Sequence, residues 1–387
     1  MRTAEVVIVG AGVVGASVAH HLAARGCRDV VVLDRGAGAG EGSTGRATGG
    51  FRAQFGTEVN VRLSLLAREK LLRFADETGV DPEFRQRGYL FLAQREPVLD
   101  ALLAAQSVQR ACGLTEARRV APEEVAGFNP AVEAGGLAGG VFCPTDGFIR
   151  PLEILRGYTE AAARRGVRFR HGTEVTGFRK DEGGRVVSAL TTGGEIAAAH
   201  FVNAAGAWAA EVARLAGVEL PVVPLRRQVA VTQPCDLLPE EMPMTIFADD
   251  GFHLRVRDRR VLLLGPGGPP APEPFDTSVD DGWLAGVVAQ AHARVPRTRR
   301  APIDRGACWA GLYEMTPDRH AVLGRAPGAG NFYLANGSSG HGVMHAPALG
   351  QLLSELILDG AARALDVRAL RPERFAEGEP NLGPDFL

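Results

Sequence analysis

The residues best spaced to do chemistry stand at the start of the chain. Val6-Val-Ile-Val9 runs into Gly10-Ala11-Gly12-Val13-Val14-Gly15, and a second apolar run, Val30-Val-Val-Leu33, ends in Asp34-Arg35. Gly10 permits a tight turn, Gly12 lets the backbone approach a pyrophosphate, and Gly15 lets the next helix lie close on the strand. The N-terminus of that helix offers N–H groups and a positive dipole end to phosphate. Asp34, 19 residues past Gly15, stands where a carboxylate accepts ribose hydroxyls. Glycine turns are common, and a plain βαβ turn is the alternative. The strand before, the helical pattern over 13–25 after, and the acid at the right distance favour a dinucleotide site.

The elements around this motif extend it. Residues 36–52 carry glycines, the hydroxyls of Ser43, Thr44 and Thr48, and two arginines, Arg46 and Arg52, ahead of an amphipathic helix expected over 58–77. Such a loop at the mouth of a dinucleotide site suits further phosphate or ring contacts. Strands are expected at 88–93, 140–144, 167–170 and 173–178, with helices at 97–111, 122–129 and 151–165. The stretch 200–208 reads as a strand ending in small residues before a helix at 209–216. Strands at 229–232, 245–247, 253–256 and 261–264 follow, then a proline-rich loop at 266–274 and a helix at 280–295. Near the end, a strand at 332–335 meets Gly337-Ser-Ser-Gly340-His341-Gly342, and a helix runs on through Ile357. The strand–glycine–helix logic of the N-terminus is repeated there.

With 387 residues, the chain is long enough for two domains with sizeable cores. A charged fraction of 23% and a net charge of -2 give no electrostatic case for nucleic acid or an anionic membrane. No apolar run approaches the ~18 residues of a membrane span. Met1-Arg-Thr-Ala-Glu5 leads straight into a strand, so no signal peptide is expected. The five cysteines (27, 112, 143, 235 and 308) show no CxxC or metal spacing, as expected of reduced thiols in a cytoplasmic enzyme. No Ser-His-Asp order, P-loop or metal cluster stands out.

The opening motif, Ser43-Thr-Gly-Arg-Ala-Thr-Gly-Gly-Phe-Arg52, Gly311-Leu-Tyr-Glu-Met-Thr-Pro317 and Gly340-His-Gly342 together resemble the D-amino-acid oxidase/sarcosine oxidase family of FAD enzymes over nearly the whole chain. Gly88-Tyr-Leu-Phe-Leu92, Pro144-Thr-Asp-Gly147 and Arg227-Gln-Val-Ala-Val-Thr-Gln-Pro234 look like the β subunits of dye-linked proline dehydrogenase and heteromeric sarcosine oxidase. The resemblance implies an α/β (α+β) fold: a Rossmann-like FAD-binding domain (1–85, 145–215, 305–370), a discontinuous β-rich substrate domain (86–144, 216–304) and a tail (371–387). It implies that FAD is held by Gly10 to Gly15, Asp34, Arg35, Ser43, Thr44, Arg46, Ala47, Thr48, Gly49, Gly50, Val175 beside the adenine, Ala205, Gly206, Trp208, Gly311, and Gly340 to Met344, including Val343. The helix after Gly340 would face the flavin pyrimidine edge with its positive end.

The implied reaction oxidises the C–N bond of an amino acid or N-alkyl amino acid, proline- or sarcosine-like. A hydride passes to the flavin and the imine product hydrolyses. Arg52 matches a family arginine that grips the substrate carboxylate, for which a guanidinium fork is suited. His341 would polarise the ring or position substrate, and His253 and Tyr313 come from segments that line the family's pocket. Each of these four also admits a purely structural role. The departures are as informative. Gly311 replaces the cysteine that bonds flavin in monomeric sarcosine oxidases, with Cys308 three residues away, and Pro151 replaces the histidine that carries FMN in heteromeric ones. Non-covalent FAD and no FMN are therefore expected. Met344 stands at a carboxylate-binding lysine, so the substrate need not be sarcosine. Leu263, counted back along its strand, stands at the lysine that promotes reaction with oxygen, so a dye, quinone or partner subunit is expected as electron acceptor; a core Leu263 one or two positions out of register, or His253 or another cation in the lysine's place, is the alternative. A non-catalytic FAD-fold assembly protein is the competing reading, and an NAD dehydrogenase a weaker one.

Overall fold

In the computed structural model, residues 2–266 and 273–383 are described, so most of the proline-rich loop expected at 266–274 and the last four residues of the tail lie outside them. The chain is mixed α/β, and its first units form for local reasons. β1 (Arg2–Val9) and β2 (Val30–Leu33) are β-branched runs, and they pair in parallel, with Val6 opposite Val30 and Val9 opposite Leu33. Between them α1 (Val13–Ala24) is buried on nearly every side, as its apolar, small-residue sequence demands.

The first sheet runs, in spatial order, through Val322–Ala326, Ala329–Asn336, Gly194–Asn203, β1, β2 and Arg168–Arg170. Its centre is parallel, and Val175–Lys180 with Val186–Thr191 extends it as a hairpin leaning on Gly194–Asn203. The second sheet runs Trp309–Met315, Val223–Val231, Arg260–Leu264, Phe252–Arg257, Met244–Phe247, Tyr89–Ala93, Gly139–Cys143 and Arg118–Val120. It is antiparallel except where Met244–Phe247 meets Tyr89–Ala93. Leu90, Leu92, Phe247, Leu254 and Leu263 pack from it against Trp283 and Val287 of the helix Asp281–Arg294.

Several elements differ from the sequence expectation. The helix expected over 58–77 is two, Glu58–Leu72 and Phe74–Thr78, interrupted at Arg73 (φ -105, ψ 5). The break turns Phe74 into the core, where its ring meets Tyr158 at 4.9 Å. The expected helix at 122–129 is a 3₁₀ turn, Pro122–Glu124, followed by Val125–Phe128. The strand expected at 229–232 begins six residues earlier, in Val223–Val231, because Pro224, Arg226 and Arg227 break the apolar alternation that marks a strand. Trp309–Met315, placed in the cofactor-binding part by sequence, hydrogen-bonds along Val223–Val231 in the second sheet, with Gly311 opposite Arg227.

The tail folds back. Arg374, 0% exposed, is held by both oxygens of Asp318 at 2.8 and 2.9 Å. Burial acts to raise the Asp318 pKa, but the Arg374 hydrogen bonds and charge outweigh it and hold the carboxyl well below its usual range.

Candidate functional site

A cavity of about 870 Å³ is lined from both sheets, near the upper end of what small-molecule sites occupy. Every residue named above for cofactor or substrate lines it except Gly15. Gly15 packs instead beneath the turn: a Cβ there would lie 1.9 Å from the Gly10 carbonyl oxygen. Its part is spacing and not contact. Gly10 itself has φ +105, and a Cβ on it would meet the Ala204 carbonyl oxygen at 2.3 Å.

The dinucleotide end is built largely from backbone. Asp34 accepts from the Ala11 N–H with Oδ2 and from the Gly36 N–H with Oδ1, both at 2.7 Å, which fixes its carboxylate across the glycine turn. Thr44 Oγ1 accepts from the Val13 N–H at 3.1 Å, tying the loop to the helix start. Ser43 Oγ donates to Leu312 O at 2.7 Å and Arg46 to Ala310 O at 2.8 Å, so the same loop is pinned to the strand Trp309–Met315. Arg35 lies 4.2 Å over the Trp208 ring, and Val175 is buried nearby in the wall. α1 opens with Gly12, which supplies no side-chain cap, and its first turn holds no acid, so its positive end stays available to a pyrophosphate. These groups fit FAD. Thr48 and Gly49 are braced from behind by Arg255, which donates to both carbonyls at 2.8 and 3.3 Å.

The other end is built from side chains. Arg52, 4% exposed, spends one NH₂ on Gln54 O at 3.0 Å and the other on His341 Nε2 at 3.1 Å, with its face 4.1 Å over Phe55. A guanidinium can only donate, so His341 Nε2 accepts and the imidazole is neutral. Burial, then the Arg52 charge, keeps its pKa well below the ordinary value. Burial also pulls the Arg52 guanidinium down to about 10. Asp146 is nearby but fully engaged with the Ala53 N–H and Gln54 Nε2, and burial lifts its carboxyl to about 6.

His253 Nδ1 lies 2.8 Å from Gly251 O and must donate to it, which leaves Nε2 as an acceptor. Burial, with the Arg52 and Arg227 charges adding to it against the Gly251 bond, lowers it to about 4. Tyr313 packs on Gly340, where a Cβ would come within 2.3 Å of its ring. His341 opens the helix Gly342–Asp359, whose N-terminal residues Gly342, Val343 and Met344 line the cavity.

Sequence reasoning missed Arg227, Tyr89 and Glu314, all in the cavity wall. Arg227 was hidden by the interrupted alternation of its strand. Of the two readings of Leu263, the structure places it in the core with Trp283 and Val287, one residue out of register, and its neighbour Leu264 faces the cavity. One residue of register reverses a strand's faces. No cysteine or lysine lines the cavity among the described residues. Cys308 turns away, its sulfur 3.3 Å from Asp304 O. No group of acids, histidines and cysteines suited to a metal occurs among the described residues, and no helix there is long and apolar enough to cross a membrane.

Residues 5–356 match the family model described as FAD dependent oxidoreductase (DAO). The chain is 31% identical to glycine oxidase of Geobacillus kaustophilus, over 91% of this chain and 92% of that protein. It is 30% identical to FAD-dependent oxidoreductase domain-containing protein 1 of Xenopus laevis, over 98% of this chain and 84% of that protein. Among solved structures, L-proline dehydrogenase from P. horikoshii superposes with a TM-score of 0.90 at 30% identity, covering 98% of this chain and 100% of that one.

Proposed function

The chain belongs to the FAD-dependent oxidoreductase (DAO) family and is an FAD-dependent enzyme, and from that premise we propose that it oxidises the C–N bond of an amino acid or N-alkyl amino acid, proline- or sarcosine-like. The observation that carries this is Arg52: a buried guanidinium at the cavity wall with no ion-pair partner among the described residues. Asp146 acts on it only through space, its oxygens being taken by the Ala53 N–H and Gln54, and a buried cation without a direct anionic partner is costly, so a substrate carboxylate is the anion that would pair with it. The relatives named for glycine and proline act on such compounds.

Bound FAD supplies the hydride acceptor for the carbon next to the substrate nitrogen. The chain's own residues do the rest. Arg52 grips the carboxylate, and His341 fixes the plane of its fork by accepting from one arm. His253 presents the Nε2 lone pair to an amine N–H. Removal of the amine from water into the buried pocket beside His253 disfavours the charged ammonium, so the uncharged, reactive amine is the form the pocket favours. Phe55, Tyr89 and Tyr313 exclude water around it. Released imine hydrolyses in solvent.

Non-covalent attachment of FAD accords with Gly311 in the wall and Cys308 turned from it. An acceptor other than oxygen, whether a dye, a quinone or a partner subunit, accords with Leu264 and the lack of a lysine among the described lining residues. In this reading segments 1–85, 145–215 and 305–370 hold the cofactor. Segments 86–144 and 216–304, with the strand Trp309–Met315, close over the substrate. The test is anaerobic mixing of the FAD-loaded protein with D- and L-amino acids, proline derivatives and N-methyl amino acids. Loss of flavin absorbance with one of them is expected, and no bleaching by any would remove the proposal.

A further inference from the structure

Arg52 is not the sole cation at the substrate end. Arg227 reaches the cavity from the strand Val223–Val231, opposite Gly311, with its guanidinium carbon 5.7 Å from the Tyr313 ring centre. Its side chain makes no ion pair or hydrogen bond among the described residues. Its neighbour Arg226, on the other face of the strand, is by contrast paired with Asp276 at 2.7 Å and with Ser278. The fold therefore supplies a counter-ion on the outer face of this strand and leaves one out on the cavity face.

Arg52 and Arg227 both line this cavity, and each guanidinium acts electrostatically on His253 and Tyr313 of the same wall; Arg319, also in the lining, adds its positive charge at Arg227. Of the acids near this end, Asp250 is taken by Arg294, at 2.8 and 2.5 Å, Asp249 by Arg95 and two backbone N–H groups, and Asp146 by the Ala53 N–H and Gln54, while Glu314 sits in the wall with one oxygen on the Ser338 N–H and its carboxyl raised by burial, which disfavours its charged form. A single carboxylate on Arg52 would leave Arg227 half-buried and uncompensated, an arrangement that favours a second ligand anion.

We propose that Arg227 is a second anion-recognising residue and that the substrate is an amino acid carrying two carboxylates, one held by Arg52 and the other, on a side chain or N-substituent, by Arg227. The inference rests on the amine-oxidising reading of the same cavity, but its test does not need turnover. The FAD-loaded protein is titrated with unreactive acetate and propionate, and with malonate, succinate and glutarate, and the flavin absorbance spectrum is followed. One of the dicarboxylates should bind at least about 10-fold more tightly than the monocarboxylates, as hydrogen bonds to a second charged group imply. Arg227→Gln should remove that advantage while FAD content stays at one per chain, and Arg227→Lys should restore part of it. Equal binding of mono- and dicarboxylates by the unaltered protein, or an advantage that survives Arg227→Gln, would overturn the proposal. In the anaerobic amine screen, bleaching by monocarboxylic amines with no preference for acidic ones would sink this inference and leave the amine-oxidising reading standing. No bleaching by any amine would sink that reading, while the titration would still decide for or against the anion pair.

Discussion

The two ends of the cavity are built on opposite principles. The dinucleotide end is made of turns, helix termini and short side chains whose hydrogen bonds are satisfied within the protein, as Asp34 on the Ala11 and Gly36 N–H groups illustrates. The substrate end gathers Arg52, Arg227, His253, Tyr313 and His341 from distant parts of the chain and holds two guanidinium groups with no direct ion pair among the described residues. One end is complete in itself. The other is electrostatically incomplete until a ligand arrives, and polar incompleteness in a dry site is where specificity comes from.

Breaking the dinucleotide end should have the larger effect. Gly10→Val places a branched side chain at φ +105 and against the Ala204 carbonyl, so we predict protein purified with little or no FAD. Absorbance near the flavin bands per mole of chain measures this, and full occupancy would contradict it. The tail clamp comes next. Asp318→Asn leaves Arg374 buried without its charge partner and should cost about 3–5 kcal/mol at neutral pH, read by denaturant unfolding. The Asp318 carboxyl is held below its ordinary range when folded, so its contribution is full above the unfolded pKa of ~4 and is lost as pH falls. The gap between variant and parent should therefore shrink in acid.

At the substrate end, Arg52→Lys replaces a fork by a point charge and should raise the substrate KM by roughly 10- to 100-fold with little change in FAD content. An unchanged KM, or loss of FAD, would move Arg52 out of the substrate site. Smaller still is the effect of pH on the enzyme itself. With His253 lowered to about 4 and His345 to about 3, and His341 well below its ordinary value, no histidine of the pocket titrates between about pH 5 and 8. Asp146, lifted to about 6, is the group beside Arg52 that does titrate there, so above about pH 7 the kcat/KM profile should rise only as the substrate ammonium loses its proton. A limb that stays between about pH 7 and 8 when substrates of different amine pKa are compared would contradict this.

The same contrast explains what could be read from sequence. The dinucleotide motif is local: its glycines, helix and acid fall within the first 35 residues, and backbone geometry demands those residue types. The substrate end is assembled by pairing strands far apart in sequence, and a charged residue facing a cavity looks like a charged residue facing solvent. Arg227 was passed over for that reason, because Pro224 and the arginines interrupt the apolar alternation of its strand. The strand Trp309–Met315 lacked a clear alternation too, and its place beside Val223–Val231 is a long-range pairing. Leu263 and Leu264 show the finest limit: both are apolar, and only the observed register tells which one meets the cavity. At Arg73 the helical periodicity continued across a break beyond which Phe74 packs in the core against Tyr158.

The cofactor and the substrate are held by separate machinery, backbone at one end and arginines without direct ion pairs at the other. The most direct measurement is made on the double variant Arg52→Gln/Arg227→Gln. Its FAD stoichiometry is determined by flavin absorbance, and its anaerobic reduction by the best amino-acid substrate is followed in a stopped-flow instrument. One FAD per chain is expected, released fully on acid denaturation, with reduction slowed by at least about 100-fold at a fixed sub-saturating substrate concentration. Protein that emerges without FAD, or that is reduced at the parent's rate, would contradict it.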